Sequence, residues 1–151
     1  VVRFLTSEQL SLLYKTIASD ARMNAIVHLL HRTGCRISEL LALNLEDVNL
    51  DKNKFQVVGK GNKQRWCFYS QDASTALTRY LQLGRHQNHP ALFTAQHPVT
   101  GHISRISYRT VHDYWHQFTS SYPQLLGVRI HDLRHTFATE RVGLMGIEEL
   151  R

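Results

Sequence analysis

The hydrophobic period of this chain changes partway along, and that change restricts the fold to a mixed one. In the first forty-odd residues, apolar positions recur at helical spacing. They are Leu10, Leu13, Tyr14 and Ile17, then Met23, Ile26, Val27, Leu30 and His31, then Leu40, Leu41 and Leu43. Thr6 with Gln9 forms a capping-box pattern, and Asp20 opens the second run. Gly34 closes that run, because glycine tolerates the left-handed backbone at a helix end. Helices are therefore expected over 7–18, 20–34 and 37–43. The segments 47–50, 55–58 and 66–69 then read as extended. Gly59, Lys60, Gly61, Asn62 and Lys63 supply the turn between the last two. Helical spacing returns over 72–83, with Ala76, Leu77, Tyr80 and Leu81 inward, and over 103–118, with Val111, Tyr114, Trp115 and Phe118 inward. Residues 84–102 read as irregular. A last helix is expected from about His131 to Arg141, closed by Gly143 and Gly146, with another starting at Ile147. The fold class is mainly α with a small antiparallel β-sheet (α+β), in one domain over 1–151.

Charge narrows the function. The net charge is +6, but residues 52–134 carry 11 Lys/Arg against three acids, while the flanks carry 7 against 9. A basic middle between near-neutral ends points to a polyanion-binding face, with ordinary solubility as the competing reading. No apolar run approaches a membrane span, and VVRFLTSEQ has no signal-peptide core. Two cysteines, Cys35 and Cys67, in no metal-type spacing suggest a reducing compartment.

Three groups of residues could carry phosphate chemistry. In RIHDLRHTFAT (129–139), His131 and Arg134 stand three apart in what reads as a helix, so both side chains leave one face. An imidazole can move a proton, and a guanidinium can grip a phosphate with two prongs. Arg36 starts at the junction between two helices, and Glu39 is placed to pair with it and orient its fork. The GKGNK turn presents Lys60 and Lys63, with Arg65 just beyond, on a hairpin suited to a DNA groove. It lacks the strand-to-helix setting of a nucleotide P-loop. Each group also has an ordinary reading: a capping histidine, a solvated Arg–Glu pair worth under about 1 kcal/mol, and a solvated turn. His112 with His116, His131 with His135, and His28 with His31 have helical spacings, but zinc would want cysteine or carboxylate partners or HExxH. No metal is expected.

Together these segments resemble the catalytic domain of the tyrosine recombinases, the phage integrase family. RFLTSEQL (3–10) is similar to the opening of that domain, and TGCRISELLALNLEDV (33–48) to its first-arginine box. VVGKGNKQR (57–65) resembles its lysine hairpin, and HDLRHTFAT (131–139) its His-x-x-Arg box. The order and spacing of the boxes match over nearly the whole chain. The resemblance implies that Arg36 and Arg134 clamp the scissile phosphate, that Lys60 protonates the leaving 5′-oxygen, with Lys63 the lesser candidate, and that His131 assists proton transfer. Glu39 matches a supporting acid, and Lys63 and Arg65 would contact DNA. It further implies no cofactor, double-stranded DNA as partner, self-assembly on DNA, no membrane, and a cytoplasmic, bacterial or phage-encoded protein.

The family's nucleophilic tyrosine follows the His-x-x-Arg box. The six tyrosines here, Tyr14, Tyr69, Tyr80, Tyr108, Tyr114 and Tyr122, all precede Arg134, and none matches it. With Val1 at the start and Arg151 at the end, the sequence is expected to be a catalytic-domain fragment. The N-terminal DNA-clamping domain and the tyrosine segment would lie outside it. The parent would cut and rejoin DNA through a 3′-phosphotyrosyl link, while the fragment would not. The alternative is a non-catalytic DNA-binding accessory protein derived from the same fold.

Overall fold

A computed structural model describes the chain over residues 3–145, with side chains to Val142. The first helix, α1 (Ser7–Ile17), starts at the expected capping box, in which the Thr6 side chain accepts the Gln9 N–H and Gln9 returns the bond to the Thr6 N–H. In α2 (Ala21–Thr33) the Asp20 carboxylate accepts the Met23 N–H, and Gly34 at φ 69° donates back to the Leu30 carbonyl. Met23, Ala25, Ile26, Val27, Leu29 and Leu30 of α2 are all buried. A helix buried around most of its circumference belongs at the centre of a core, and α2 lies between α1, α4, α5 and α6 as these are defined below.

Helix α3 (Ile37–Leu41) stops two residues short of its expected end, though Leu43 is buried as expected. Its terminal carbonyls are taken from outside the helix. Arg105 donates to the carbonyls of Leu41 and Leu43, and the Leu92 N–H also binds Leu43. A short 3-10 turn, Leu45–Asp47, leads into β1 (Val48–Asn49), so only the middle two residues of the expected 47–50 segment are extended. Strands β2 (Lys54–Val58) and β3 (Gln64–Phe68) complete an antiparallel sheet of order β1-β2-β3. Phe55 pairs with Cys67 and Val57 with Arg65 in register. Phe55, Val57 and Cys67 face the core, while Trp66 and Phe68 are exposed on the other side. The linking turn closes with the Gly59 N–H on the Lys63 carbonyl, and Gly61 and Asn62 both take positive φ.

Helix α4 (Gln71–Leu83) is followed by a second, two-stranded antiparallel sheet that the sequence pattern did not reveal. It pairs β4 (Thr94–Gln96) with β5 (Ile103–Arg105). The expectation of helix from residue 103 is thus corrected: α5 (Tyr108–Thr119) starts at Ser107, whose hydroxyl accepts the Thr110 N–H. Ile106, inside the expected helix, is instead buried at the end of the hairpin, with its N–H on the Phe93 carbonyl. The last helix, α6 (Asp132–Met145), runs through Gly143 instead of ending there. One glycine inside a helix costs only about 1 kcal/mol. The stop expected at Gly146 and the helix expected from Ile147 lie outside the described residues. Among the described residues, no helix is long and apolar enough to cross a membrane.

Candidate functional site

Arg36 occupies the bend between α2 and α3. Gly34 turns the chain with its left-handed backbone, and Arg36 takes the extended conformation of a helix N-cap, leaving its side chain exposed. Its N–H donates to Glu39 Oε1 at 2.8 Å. The fork that Glu39 holds, however, is that of Arg65 rather than the expected Arg36. Arg65 Nη1 donates to Oε2 at 2.6 Å and Nη2 to Oε1 at 2.7 Å. Alternation along β3 explains the exchange, because it turns Arg65 and Cys67 to the face against α3. Burial alone would raise the Glu39 pKa. Hydrogen bonds from Arg65 and the Arg36 N–H, with the positive charge of both arginines, outweigh it and hold the carboxyl below its ordinary range.

The α6 box is set by Asp132, which is almost fully buried. Its carboxylate accepts from the Arg129 N–H at 2.9 Å and from Arg129 Nη2 at 3.1 Å, tightening the turn before the helix. His131 therefore sits immediately before α6 rather than within it. Its carbonyl accepts the Arg134 N–H at 3.1 Å, and its ring meets His135 edge-on at 4.9 Å between centroids. Burial, then the positive charge on His135, Arg134 and Arg129, lowers the His131 pKa; Asp132 acts against them. His131 also lines a groove of about 430 Å³ with Tyr108, His112, Trp115 and Arg129.

Arg134 is partly buried, and among the described residues its Nη1 is shielded from solvent without a hydrogen-bond partner. Burial, then the charges of Arg36 and Arg65, lowers its pKa, with Glu39 opposing. Two contacts fix α6 against α2 so that these charges meet. A Cβ on Gly34 would lie 2.2 Å from Phe137 Cδ1, so the ring occupies the space that a side chain would need. One turn further along, Glu140 receives buried His31 Nε2 at 2.9 Å, and the other nitrogen of that ring is 2.6 Å from the Tyr14 hydroxyl.

The hairpin base packs on the Glu39–Arg65 pair, since a Cβ on Gly59 would be 3.1 Å from Glu39 Oε2. Lys60 follows directly and is exposed, as is Lys63. Neither lysine side chain forms a hydrogen bond or ion pair among the described residues. The structure thus gathers Arg36, Glu39, Arg65 and Arg134 into one electrostatic neighbourhood and joins His131 to it through the backbone. The Lys60 and Lys63 side chains stand apart on the turn. Arg65 is bonded to Glu39, and Arg36 and Arg134 influence the same region through their charge, which leaves a positive surplus suited to an anion such as a phosphate diester. The sequence reading gave no role to Asp132 or Phe137. An acid at the start of a helix was a usable signal for the first, whereas the second depends on a glycine distant in sequence.

The chain matches the phage integrase family over residues 3–142. It is 32% identical over 143 residues to tyrosine recombinase XerC of Staphylococcus carnosus, covering 90% of this chain and 47% of that protein. It is 31% identical over 150 residues to tyrosine recombinase XerD of Pasteurella multocida, covering 93% and 49%. The chain spans about half the length of the curated relatives it matches. Its fold superposes on the crystal structure of XerA recombinase with a TM-score of 0.81 at 30% identity, over 95% of this chain and 50% of that one. A Tn1549 transposon integrase solved in complex with circular intermediate DNA shares the fold, with a TM-score of 0.75 at 20% identity, over 97% and 54%.

Proposed function

Because the chain belongs to the phage integrase family, we propose that it provides the phosphate-gripping part of a site-specific DNA recombinase. The observation that carries this reading is the shared neighbourhood of Arg36, Arg65 and Arg134, drawn from three distant parts of the chain around a single carboxylate. Arg65 is engaged with Glu39, so Arg36 and Arg134, neither of which forms an ion pair among the described residues, are the donors left for the non-bridging oxygens of a scissile phosphate. Preorganised donors of this kind act where negative charge grows in the transition state.

In this reading a tyrosine hydroxyl attacks phosphorus, a 3′-phosphotyrosyl bond forms, and the 5′-oxygen leaves with a proton. The tyrosine is not one of the six in this sequence. Lys60, on its exposed turn, delivers the proton to the leaving oxygen. His131, kept toward its neutral form by burial and nearby cations, accepts a proton from the attacking hydroxyl. The partner is duplex DNA, in keeping with the transposon integrase solved on DNA. Assembly on DNA is part of the proposal, since a related lambda integrase was solved as a tetramer bound to a Holliday junction. The place of action would be the bacterial cytoplasm, at the chromosome. Duplex binding by the wild-type protein and by Arg36→Ala and Arg134→Ala, measured across salt concentrations, tests the reading. Equal binding by all three would contradict it.

A further inference from the structure

One buried ring, that of His31, joins three helices. From α2 its Nε2 lies 3.0 and 2.9 Å from the two carboxylate oxygens of Glu140 on α6, and its Nδ1 lies 2.6 Å from the Tyr14 hydroxyl on α1. A carboxylate only accepts hydrogen bonds, so Nε2 carries a proton. Nδ1 of the neutral ring then accepts from Tyr14, whose hydroxyl burial holds above its ordinary pKa and therefore protonated. The other titratable groups around this chain of bonds are His28 and Arg32 of α2 and Asp72 of α4. His28 stacks on Tyr14 at 4.3 Å between centroids, and burial lowers its pKa. Arg32 is 3.9 Å from Glu140 but is engaged with Asp72 at 2.6 Å.

We propose that His31 is a positioning residue for Arg134, acting through Glu140 at the other end of α6. The proposal rests on the phosphate-gripping reading of Arg134. Phe137, seated against Gly34, is the fulcrum, three residues after Arg134 and three before Glu140. A helix rises about 1.5 Å per residue as one hydrogen-bonded rod, so a swing of the Glu140 arm moves the Arg134 arm the opposite way. The Leu5 N–H on Thr136 Oγ1, at 2.8 Å, ties α6 to the segment before α1, not to α2. Toward α2, the polar ties of α6 among the described residues are those of Glu140 with His31 and, at longer range, Arg32. Arg134 itself forms no ion pair among the described residues, so the helix that carries it sets its place.

Losing the Glu140 carboxylate therefore frees one arm of the lever and leaves the buried Nε2–H of His31 without its acceptor. A glutamine at 140 keeps an oxygen for that N–H and keeps the tie; an alanine does not. A phosphate grip depends on donor placement, so the loss is felt at DNA although Glu140 touches none of the grip. Glu140 is 39% exposed, so its truncation leaves the fold in place.

The test compares E140Q and E140A, alone and combined with R134A, in duplex binding across salt concentrations. It also records the Arg134 side-chain N–H signals by NMR without DNA. The expected E140A protein binds several-fold more weakly, with a salt slope shallower by about one. It shows shifted Arg134 signals and loses nothing further when R134A is added. E140Q restores wild-type behaviour on each count. An E140A protein that melts earlier but binds with unchanged affinity and slope overturns the proposal, as does a loss additive with that of R134A. Unchanged Arg134 signals in E140A overturn it without reference to DNA. Shifted signals in E140A beside a wild type that fails to bind duplex support the tie and count against the proposed function alone.

Discussion

Arg65 grips Glu39 with both terminal nitrogens, at 2.6 and 2.7 Å, and that ion pair fastens β3 to α3 beside the bend carrying Arg36. A two-pronged pair on a buried carboxylate is more directional than a lysine contact would be. It also sets the local charge. With Arg65 paired to Glu39, Arg36 and Arg134 are the two arginines of this neighbourhood without an ion pair among the described residues.

Replacing Glu39 with glutamine should cost about 1–3 kcal/mol, because Arg65 and Arg134 lose their shared counter-charge. The pH dependence should change as well. The folded Glu39 carboxyl titrates below its unfolded value, so its contribution is present above about pH 4.3 and is lost as pH falls toward the folded value. Asp72, lowered to about 2 against burial by hydrogen bonds from Ser70 and Arg32, adds acid sensitivity of the same sign. Urea midpoints measured from pH 7 downward should fall less steeply for E39Q than for wild type. Parallel curves would contradict the assignment.

Gly34→Ala should destabilise the protein by about 2–4 kcal/mol. The backbone there has φ 69°, and the new methyl would stand 2.2 Å from Phe137 Cδ1. Removing the ring should relieve the second cost but not the first. Equilibrium unfolding should therefore show a smaller G34A penalty in an F137A background than in wild type. An equal penalty in both would place the whole effect in the backbone.

His131 should titrate below the ordinary histidine value of about 6.5, owing to burial and the charges of His135, Arg134 and Arg129. An NMR titration of its ring protons gives the midpoint, and His135→Ala should move it upward. A midpoint above the ordinary value would remove the neutral imidazole that the proposed proton transfer needs.

The helical part of the fold was legible where caps and periodicity agree. Thr6 with Gln9, Asp20, and Gly34 mark helix ends through local hydrogen bonds that depend on few distant residues. The β4–β5 hairpin was not legible, since Ile103 and Ile106 stand at helical spacing and only the pairing of Ile103 with Gln96 and the Ile106 N–H on the Phe93 carbonyl make them extended. At the site, the boxes were visible but their internal wiring was not. Glu39 three residues after Arg36 suggested a local pair, whereas the partner it takes, Arg65, is brought by sheet register. Phe137 acts through Gly34, a relationship that exists only once α6 lies on α2, whereas Asp132 acts locally on the Arg129 turn.

The most direct test of the phosphate-gripping claim is the salt dependence of duplex binding, measured by fluorescence anisotropy for wild type, R36A, K60A and R134A. Each variant should bind more weakly whatever the DNA sequence. Its slope of log affinity against log salt should be shallower by about one per phosphate contact removed. Wild-type binding that is insensitive to salt, or variants with unchanged affinity and slope, would contradict the account.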